Sequence, residues 1–268
     1  MHTELSADNP LGYNRYGFAW QHIPQGGAAH LDFGCYDGTF LASLKGKRIA
    51  RLVGVDISAD AVRQAHERFA DADIEVIHIS KTVPLPFGDS AFTSITILDV
   101  IEHLDEQSPL LDELNRVLQD NGILVVTVPG QHFFSFLDAG NLKFRFPRIH
   151  RWYYCRKHSQ AEYEDRYVSN PDGLIGDISA KKRWHQHFSP SQLETLLNRS
   201  GFTVIDFDGT GFFVRLIKGV QFLLGWCEPL QSFSRKLEVL DARLFESANL
   251  FCAARKQRKN SQDHVCKS

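Results

Sequence analysis

His30-Leu31-Asp32-Phe33-Gly34-Cys35-Tyr36-Asp37-Gly38-Thr39-Phe40-Leu41 reads as a buried strand, a turn bracketed by Gly34 and Gly38, and the first turn of a helix. About twenty residues further on, Leu52-Val53-Gly54-Val55-Asp56 is a second strand ending in a carboxylate, with Ser58 placed to cap another helix. Glycines let a ligand approach the backbone, a helix N-terminus offers free N–H groups, and an acid at the next strand end accepts from ribose hydroxyls. The layout suits an adenosine-containing cofactor. The phosphate-binding form of this motif needs Gly-x-Gly-x-x-Gly, which the spacing of Gly34 and Gly38 does not supply.

Working outward, strand signals fall at 29–33, 51–56, 74–79, 92–98, 122–128 and 202–208. Helical patterns at 38–45, 59–70, 107–119 and 189–200 alternate with them. Alternation of this kind predicts an α/β fold, doubly wound around a mostly parallel sheet through right-handed crossovers. Residues 1–27 are expected to form a short helix and loop, 28–255 the main domain, and 256–268 a polar, frayed tail. Two long connections, 131–184 and 210–247, are too aromatic for disorder and are read as lid insertions at the ligand-binding edge.

Composition sets limits. A chain of 268 residues has ample core for one elaborated domain, and 30 basic against 32 acidic residues create no field that selects nucleic acid or membrane. The five cysteines, Cys35, Cys155, Cys227, Cys252 and Cys266, are odd in number and contain no Cys-x-x-Cys pair. Met1-His2-Thr3-Glu4-Leu5 lacks a basic segment leading into an apolar run, so no signal peptide is expected. A reducing cytoplasm follows as the expected compartment.

Further motifs lie in order along the chain. They are Val83-Pro84-Leu85-Pro86-Phe87-Gly88-Asp89-Ser90-Ala91-Phe92, Ile97-Leu98-Asp99-Val100-Ile101-Glu102-His103-Leu104, Leu114-Asn115-Arg116-Val117-Leu118 with Gly122 and Val128-Pro129, and Phe188-Ser189-Pro190-Ser191-Gln192-Leu193 before Gly201-Phe202. With the opening loop they resemble the class I S-adenosylmethionine-dependent methyltransferases, especially the small-molecule type 11 branch, over roughly 28–130 and 185–209. The resemblance implies a seven-stranded Rossmann-like methyltransferase fold whose last strand is antiparallel, a role that 248–255 fits. It implies S-adenosylmethionine as cofactor, whose carboxylate a helix N-terminus can hold.

By the same resemblance Asp32, Gly34, Cys35 and Gly38 line the methionine end of the cofactor, Asp56 holds the ribose hydroxyls and Ile57 flanks the adenine. Tyr36 stands where the family usually has glycine, so its side chain must turn out of the slot or form one wall. Ser80 replaces the acid that often reads the adenine amine, giving a hydrogen bond without charge assistance.

Asp99, Glu102 and His103 form a second constellation at the end of the fourth strand, counted with the cofactor edge through Asp99. One reading makes them polar caps that order the backbone. Another makes His103 the general base that removes the acceptor's proton, with Glu102 orienting it. A third resembles the metal site of O-methyltransferases that act on ubiquinone-pathway catechols and on small-RNA ribose. In that version Asp99, Glu102, His103 and a later histidine, His185 (or His187, or His132), hold a divalent metal.

The stretch 143–157 mixes cations with aromatics, as an acceptor bearing phosphate, acid or sugar would require, or as the snorkelling rim of a lid. The stretch 212–226 is apolar with Arg215, Lys218 and Gln221 near one face, which suits either burial or peripheral membrane contact. The expected function is methylation of a hydroxyl on a sugar, glycan or lipid-linked small molecule. RNA ribose 2′-O-methylation and phenolic O-methylation are the enzymatic alternatives, with nucleic acid disfavoured by overall charge. An S-adenosylmethionine-binding scaffold without chemistry is the alternative from another class.

Overall fold

The computed structural model describes residues 11, 14–70, 73–131, 146–168, 186–211, 213, 217, 237, 240–241 and 249–258. Helix α1 (Arg15–His22) leads into β1 (Ala29–Phe33), α2 (Thr39–Ser43), β2 (Arg51–Asp56), α3 (Ala59–Arg68), β3 (Glu75–His78) and β4 (Phe92–Leu98). Then come α4 (Ser108–Val117), β5 (Leu118–Pro129), α5 (Pro147–Tyr154), α6 (Gln160–Tyr167), α7 (Pro190–Arg199), β6 (Phe202–Thr210) and β7 (Asn249–Lys256). The strands make one seven-stranded sheet in the order β3-β2-β1-β4-β5-β7-β6. Every pairing from β3 to β5 is parallel, while β7 runs antiparallel between β5 and β6.

Both faces of the sheet are covered, which is why β1 is buried along its whole length. On one face Leu31, Phe33, Val53, Val55, Ile95 and Ile97 share a core with Leu110, Leu111 and Leu114 of α4 and Leu193 and Leu197 of α7. On the other, Leu52, Ile123, Val125 and Phe251 meet Phe18 and Ala19 of α1, Leu41 of α2, and Val62 and Ala65 of α3. The helix starts follow local chemistry. The Ser58 hydroxyl accepts from Ala61 N at 3.2 Å, and Ser189 with Gln192 forms a reciprocal capping box at the head of α7.

The predicted alternation matches the elements, with three adjustments at their ends. The helix expected at 38–45 is the single turn α2, followed by a 3-10 stretch Leu44–Lys47. β5 opens at Leu118, but a bulge follows and regular pairing to β4 resumes at Ser94↔Ile123, one residue after the expected start. Lys256, placed by the sequence in a frayed tail, is a strand residue. It pairs with Phe202, and its buried ammonium donates to Leu118 O at 2.7 Å.

The insertion after β5 departs from and returns to one spot. Gly130 bridges Phe188, Gln131 N donates to Phe188 O at 2.8 Å, and Phe188 N donates to Pro129 O at 3.0 Å. Within it, α5 and α6 pack on each other through His150, Tyr154, Tyr163 and Tyr167. Of the second insertion only Thr210, Gly211, Phe213, Ile217, Leu237, Leu240 and Asp241 are among the described residues. Most of 212–226, the segments 1–10 and 259–268, and the lid stretches 132–145 and 169–185 lie outside them. Among the described residues no helix is long and apolar enough to cross a membrane.

Candidate active site

The turn after β1 forms one wall of a cavity of about 240 Å3. Its lining includes Asp32, Gly34, Cys35, Tyr36 and Asp37 from strand and turn, Thr39, Phe40 and Ser43 from α2, Leu98 from the end of β4, and Leu11 and Tyr16 from the N-terminal segment. A wider open trough of about 430 Å3 runs along α7 past Gln107 and Gln186 and includes none of the turn residues.

Close approach explains the turn's composition. Gly34 has φ +78°, and a Cβ there would meet Val100 Cγ2 at 2.5 Å. Gly54 on β2 leaves room for the Cys35 side chain, since a Cβ would stand 2.6 Å from its Sγ. Cys35 therefore contributes backbone to the cavity while its thiol is packed inward, where burial pushes its pKa up. Tyr36 takes φ 48° and is 63% exposed. A left-handed residue is where the family's glycine belongs, and here the tyrosine ring turns outward at the cavity's edge.

Asp32 lies on the floor and is 3% exposed. Burial pushes its pKa up to about 7, against the donation of Thr96 Oγ1 at 2.7 Å and with the added repulsion of Asp56. Asp56 accepts from Tyr36 N at 2.8 Å through one oxygen and from Ser58 N at 2.9 Å through the other. Its carboxylate thus holds the glycine turn onto β2, and each oxygen keeps a further lone pair. The first amide of α2 is already bonded, Thr39 N donating to Asp37 Oδ1 at 3.1 Å, with Arg68 paired to Asp37 at 2.7 Å. The helix N-terminus expected to receive the cofactor's carboxylate is thus partly satisfied from within the chain.

Of the cofactor residues expected from sequence, Asp32, Gly34 and Cys35 line the cavity, while Gly38, Asp56, Ile57, Ser80 and Asp99 do not. Gly38 precedes α2 with φ 73°, Ile57 packs against the core, and Ser80 is exposed beyond the end of β3. Leu11, Tyr16, Asp37, Thr39, Phe40, Ser43 and Leu98 line the cavity without having been expected there. Asn14 caps the amides of Tyr16 and Gly17 at the head of α1, but nothing local in the sequence says that this helix covers the cavity.

Asp99 is engaged within the fold. Its Oδ2 is bonded to Arg15, its Oδ1 accepts from Thr127 Oγ1 at 2.6 Å, and its amide donates to Thr127 O at 3.0 Å. A carboxylate held by a guanidinium and a hydroxyl is a clasp between α1, β4 and β5. Among the described residues no group of His, Cys, Asp and Glu is placed to hold a metal ion, and His185 and His132 lie outside them. Among the described residues, Asp99, Glu102 and His103 are not arranged as a metal site. Glu102 is 1% exposed, His103 is half-buried in the 3-10 turn Ile101–His103, and His103 Nε2 stands 3.8 Å from Glu102 Oε1. Neither lines the cavity. The backbone carbonyl of Glu102 accepts from Gln186 N at 3.1 Å, tying this turn to the returning insertion.

A cavity with a carboxylate floor and aromatic walls Tyr16 and Phe40 fits the ammonium and sulfonium of S-adenosylmethionine. Comparison with known proteins agrees. The profile of the family described as "Methyltransferase domain" matches residues 15–206. An uncharacterized methyltransferase of Mycobacterium tuberculosis is 32% identical over 105 residues, 39% of this chain and 52% of that protein. The mitochondrial ubiquinone biosynthesis O-methyltransferase of Dictyostelium discoideum is 25% identical over 150 residues, covering 52% of this chain and 44% of that one. The chain thus spans about half the length of these curated relatives. A solved S-adenosylmethionine-dependent methyltransferase of Methanosarcina mazei shares the fold, with a TM-score of 0.57 at 17% identity over 89% of this chain and 97% of that one.

Proposed function

The chain belongs to the methyltransferase-domain family, and from that premise we propose that it transfers the methyl group of S-adenosylmethionine to a hydroxyl of a sugar, glycan or lipid-linked small molecule. The observation that carries the methyl-transfer reading is the cavity behind Gly34, floored by Asp32 and walled by Tyr16 and Phe40. When bound, the cofactor supplies a methyl carbon already activated by its sulfonium, which takes back the electron pair and leaves as a neutral thioether. The chain's part is alignment and proton removal. Asp32 binds the ammonium, and Asp56, which fixes the Gly34–Tyr36 turn, presents its remaining lone pairs to the ribose. His103, half-buried beside Glu102, takes the hydroxyl proton as the acceptor oxygen bonds to carbon. The carboxylate of Glu102 supports the imidazolium that forms.

The mixed cations and aromatics of 146–157, carried on the insertion tied to Glu102, support an acceptor with a polar headgroup joined to phosphate or lipid. A phenolic small molecule is the second reading, favoured by likeness to a ubiquinone biosynthesis O-methyltransferase. Incubation with labelled S-adenosylmethionine and extracted glycolipid, RNA and small-molecule pools separates the acceptors. Label in the glycolipid pool is expected, and label only in RNA or only in phenolic compounds overturns the choice. His103→Ala should cut kcat by ~10²–10⁴-fold while S-adenosylhomocysteine binding stays nearly intact. Full turnover by a well-folded variant removes His103 as base, and no cofactor binding at all leaves a scaffold of another kind.

A further inference from the structure

Helix α5 has two unlike sides. The inner side, His150 and Tyr154, stacks on Tyr163 and Tyr167 of α6, and Arg151 pairs there with Glu164. The outer side carries Phe146, Ile149, Trp152 and Tyr153, which are 47%, 60%, 63% and 56% exposed. Their spacing sets them along one stripe of the helix. The guanidinium of Arg156 stands 5.0 Å from the centre of the Trp152 ring, and Arg148 and Lys157 are exposed at the two margins. No acidic residue occurs between Phe146 and Lys157. The outer stripe is therefore apolar, aromatic and of one charge sign.

We propose that α5 docks the protein on an anionic membrane surface, with Ile149, Trp152 and Phe146 entering the headgroup–acyl boundary and Arg148, Arg156 and Lys157 meeting lipid phosphates. A bilayer offers apolar depth and a plane of negative charge at the same place, and tryptophan and tyrosine favour that boundary. A second copy of the chain fits less well, because a two-fold contact would bring the same cations against each other. An acidic soluble protein would satisfy the cations, but it would need its own groove for four large side chains. The insertion carrying α5 leaves and re-enters the sheet at Gly130 and Phe188, beside Glu102. Docking through α5 thus acts through an insertion rooted at the carboxyl edge of the sheet, whichever acceptor is methylated. The contact lies in a different segment from the apolar run 212–226.

Sedimentation of the full chain with vesicles tests this without reference to activity. Binding to vesicles of phosphatidylglycerol mixed with phosphatidylcholine is expected at about 0.1 M salt, with release as salt rises to about 1 M. Phosphatidylcholine alone should bind poorly. Exchanging Arg148, Arg156 and Lys157 together for Gln should lower the partition coefficient by about a hundredfold, at roughly fivefold per charge. The exposed pair Ile149→Ser and Trp152→Ser should lower it comparably while leaving the thermal midpoint unchanged. No binding by the unaltered chain, or equal binding by both variants, overturns the proposal. So does dimerisation in light scattering that the serine pair abolishes when vesicle binding is absent.

Discussion

Asp32 ends a line of buried hydrogen bonds that crosses from β1 to β4. Ser94 Oγ lies 2.9 Å from His30 Nδ1, His30 Nε2 lies 3.1 Å from Thr96 Oγ1, and that hydroxyl donates to Asp32. Because Thr96 gives its proton to Asp32, its oxygen accepts from His30 Nε2–H, and Nδ1 accepts from Ser94. Burial pushes the imidazole pKa down to about 3, so it stays neutral and serves as a fixed link. Asp32 has a folded-state pKa of about 7 against an ordinary value of 3.8. Between about pH 4 and 7 the folded protein holds a proton that the unfolded chain has released, so apo stability falls as pH rises through that window. A bound ammonium favours the ionised carboxylate. S-adenosylhomocysteine affinity should therefore climb with pH up to about 7 and then level off, with proton release on binding below that point. Calorimetry in buffers of different ionisation enthalpy reads this directly, and Asp32→Asn should flatten the profile. Thr96→Val should move its midpoint upward and weaken binding at neutral pH by about tenfold, the worth of one hydrogen bond to a charged group. A profile unchanged in both variants would remove Asp32 from ammonium binding. The family resemblance marked Asp32, in β1 just before the glycine turn, as a cofactor residue. The line behind it depends on the His30↔Ser94 and Asp32↔Thr96 register, which strand patterns alone do not reveal.

At the level of elements, the strands and the cavity's floor were legible because burial, period and glycine placement all pointed the same way. The cavity's cover was not, because it comes from α1, a helix distant in sequence from the β4 end that it closes. Arg15 reaches Asp99, donates to Tyr16 Oη at 2.9 Å and lies 4.8 Å from the centre of that ring. Tyr16 in turn meets Phe40 with ring centroids 5.4 Å apart. The left-handed φ of 55° at Asp99 suits Asp or Asn, so Asp99→Asn keeps the backbone while weakening the pair. Arg15→Gln and Asp99→Asn should each raise KM for S-adenosylmethionine by about three- to tenfold with little change in kcat. The stability cost should stay within about 1 kcal/mol, because the pair is partly exposed. Chelators should leave activity unchanged. Loss of kcat in Asp99→Asn, restored by added divalent metal, would favour the ligand role over the clasp.

For the whole molecule, the proposed division between a sheet that binds cofactor and insertions that meet the acceptor rests on where the chain leaves the sheet. β5 and β6 both end at the same edge, since each runs antiparallel to β7. Their continuations were recognisable in the sequence as excess length with aromatic composition, though their shape was not, because they lack the periodicity that marks the sheet. The first insertion is the more sharply bounded. Its ends pair through Gly130 and Phe188, and its described helices pack on each other through their own tyrosines and histidine. Such a segment is removable if the chain can still return parallel to itself, which takes a connection of about a dozen residues rather than a tight turn. Replacing 133–185 with a flexible linker of about twelve glycines and serines should leave a folded sheet with the Gln186–Glu102 and Phe188–Pro129 bonds in place. A shorter closed loop also lowers the entropy of closure slightly. The shortened protein should still gain thermal stability from S-adenosylhomocysteine, by about 2.7 kcal/mol at a hundred times Kd. It should transfer no methyl group and should not bind anionic vesicles, because the acceptor-facing segment and α5 leave together. A shortened chain that fails to fold would mean that the insertion is part of the core. One that folds and still methylates its acceptor would move acceptor recognition to the connection between β6 and β7.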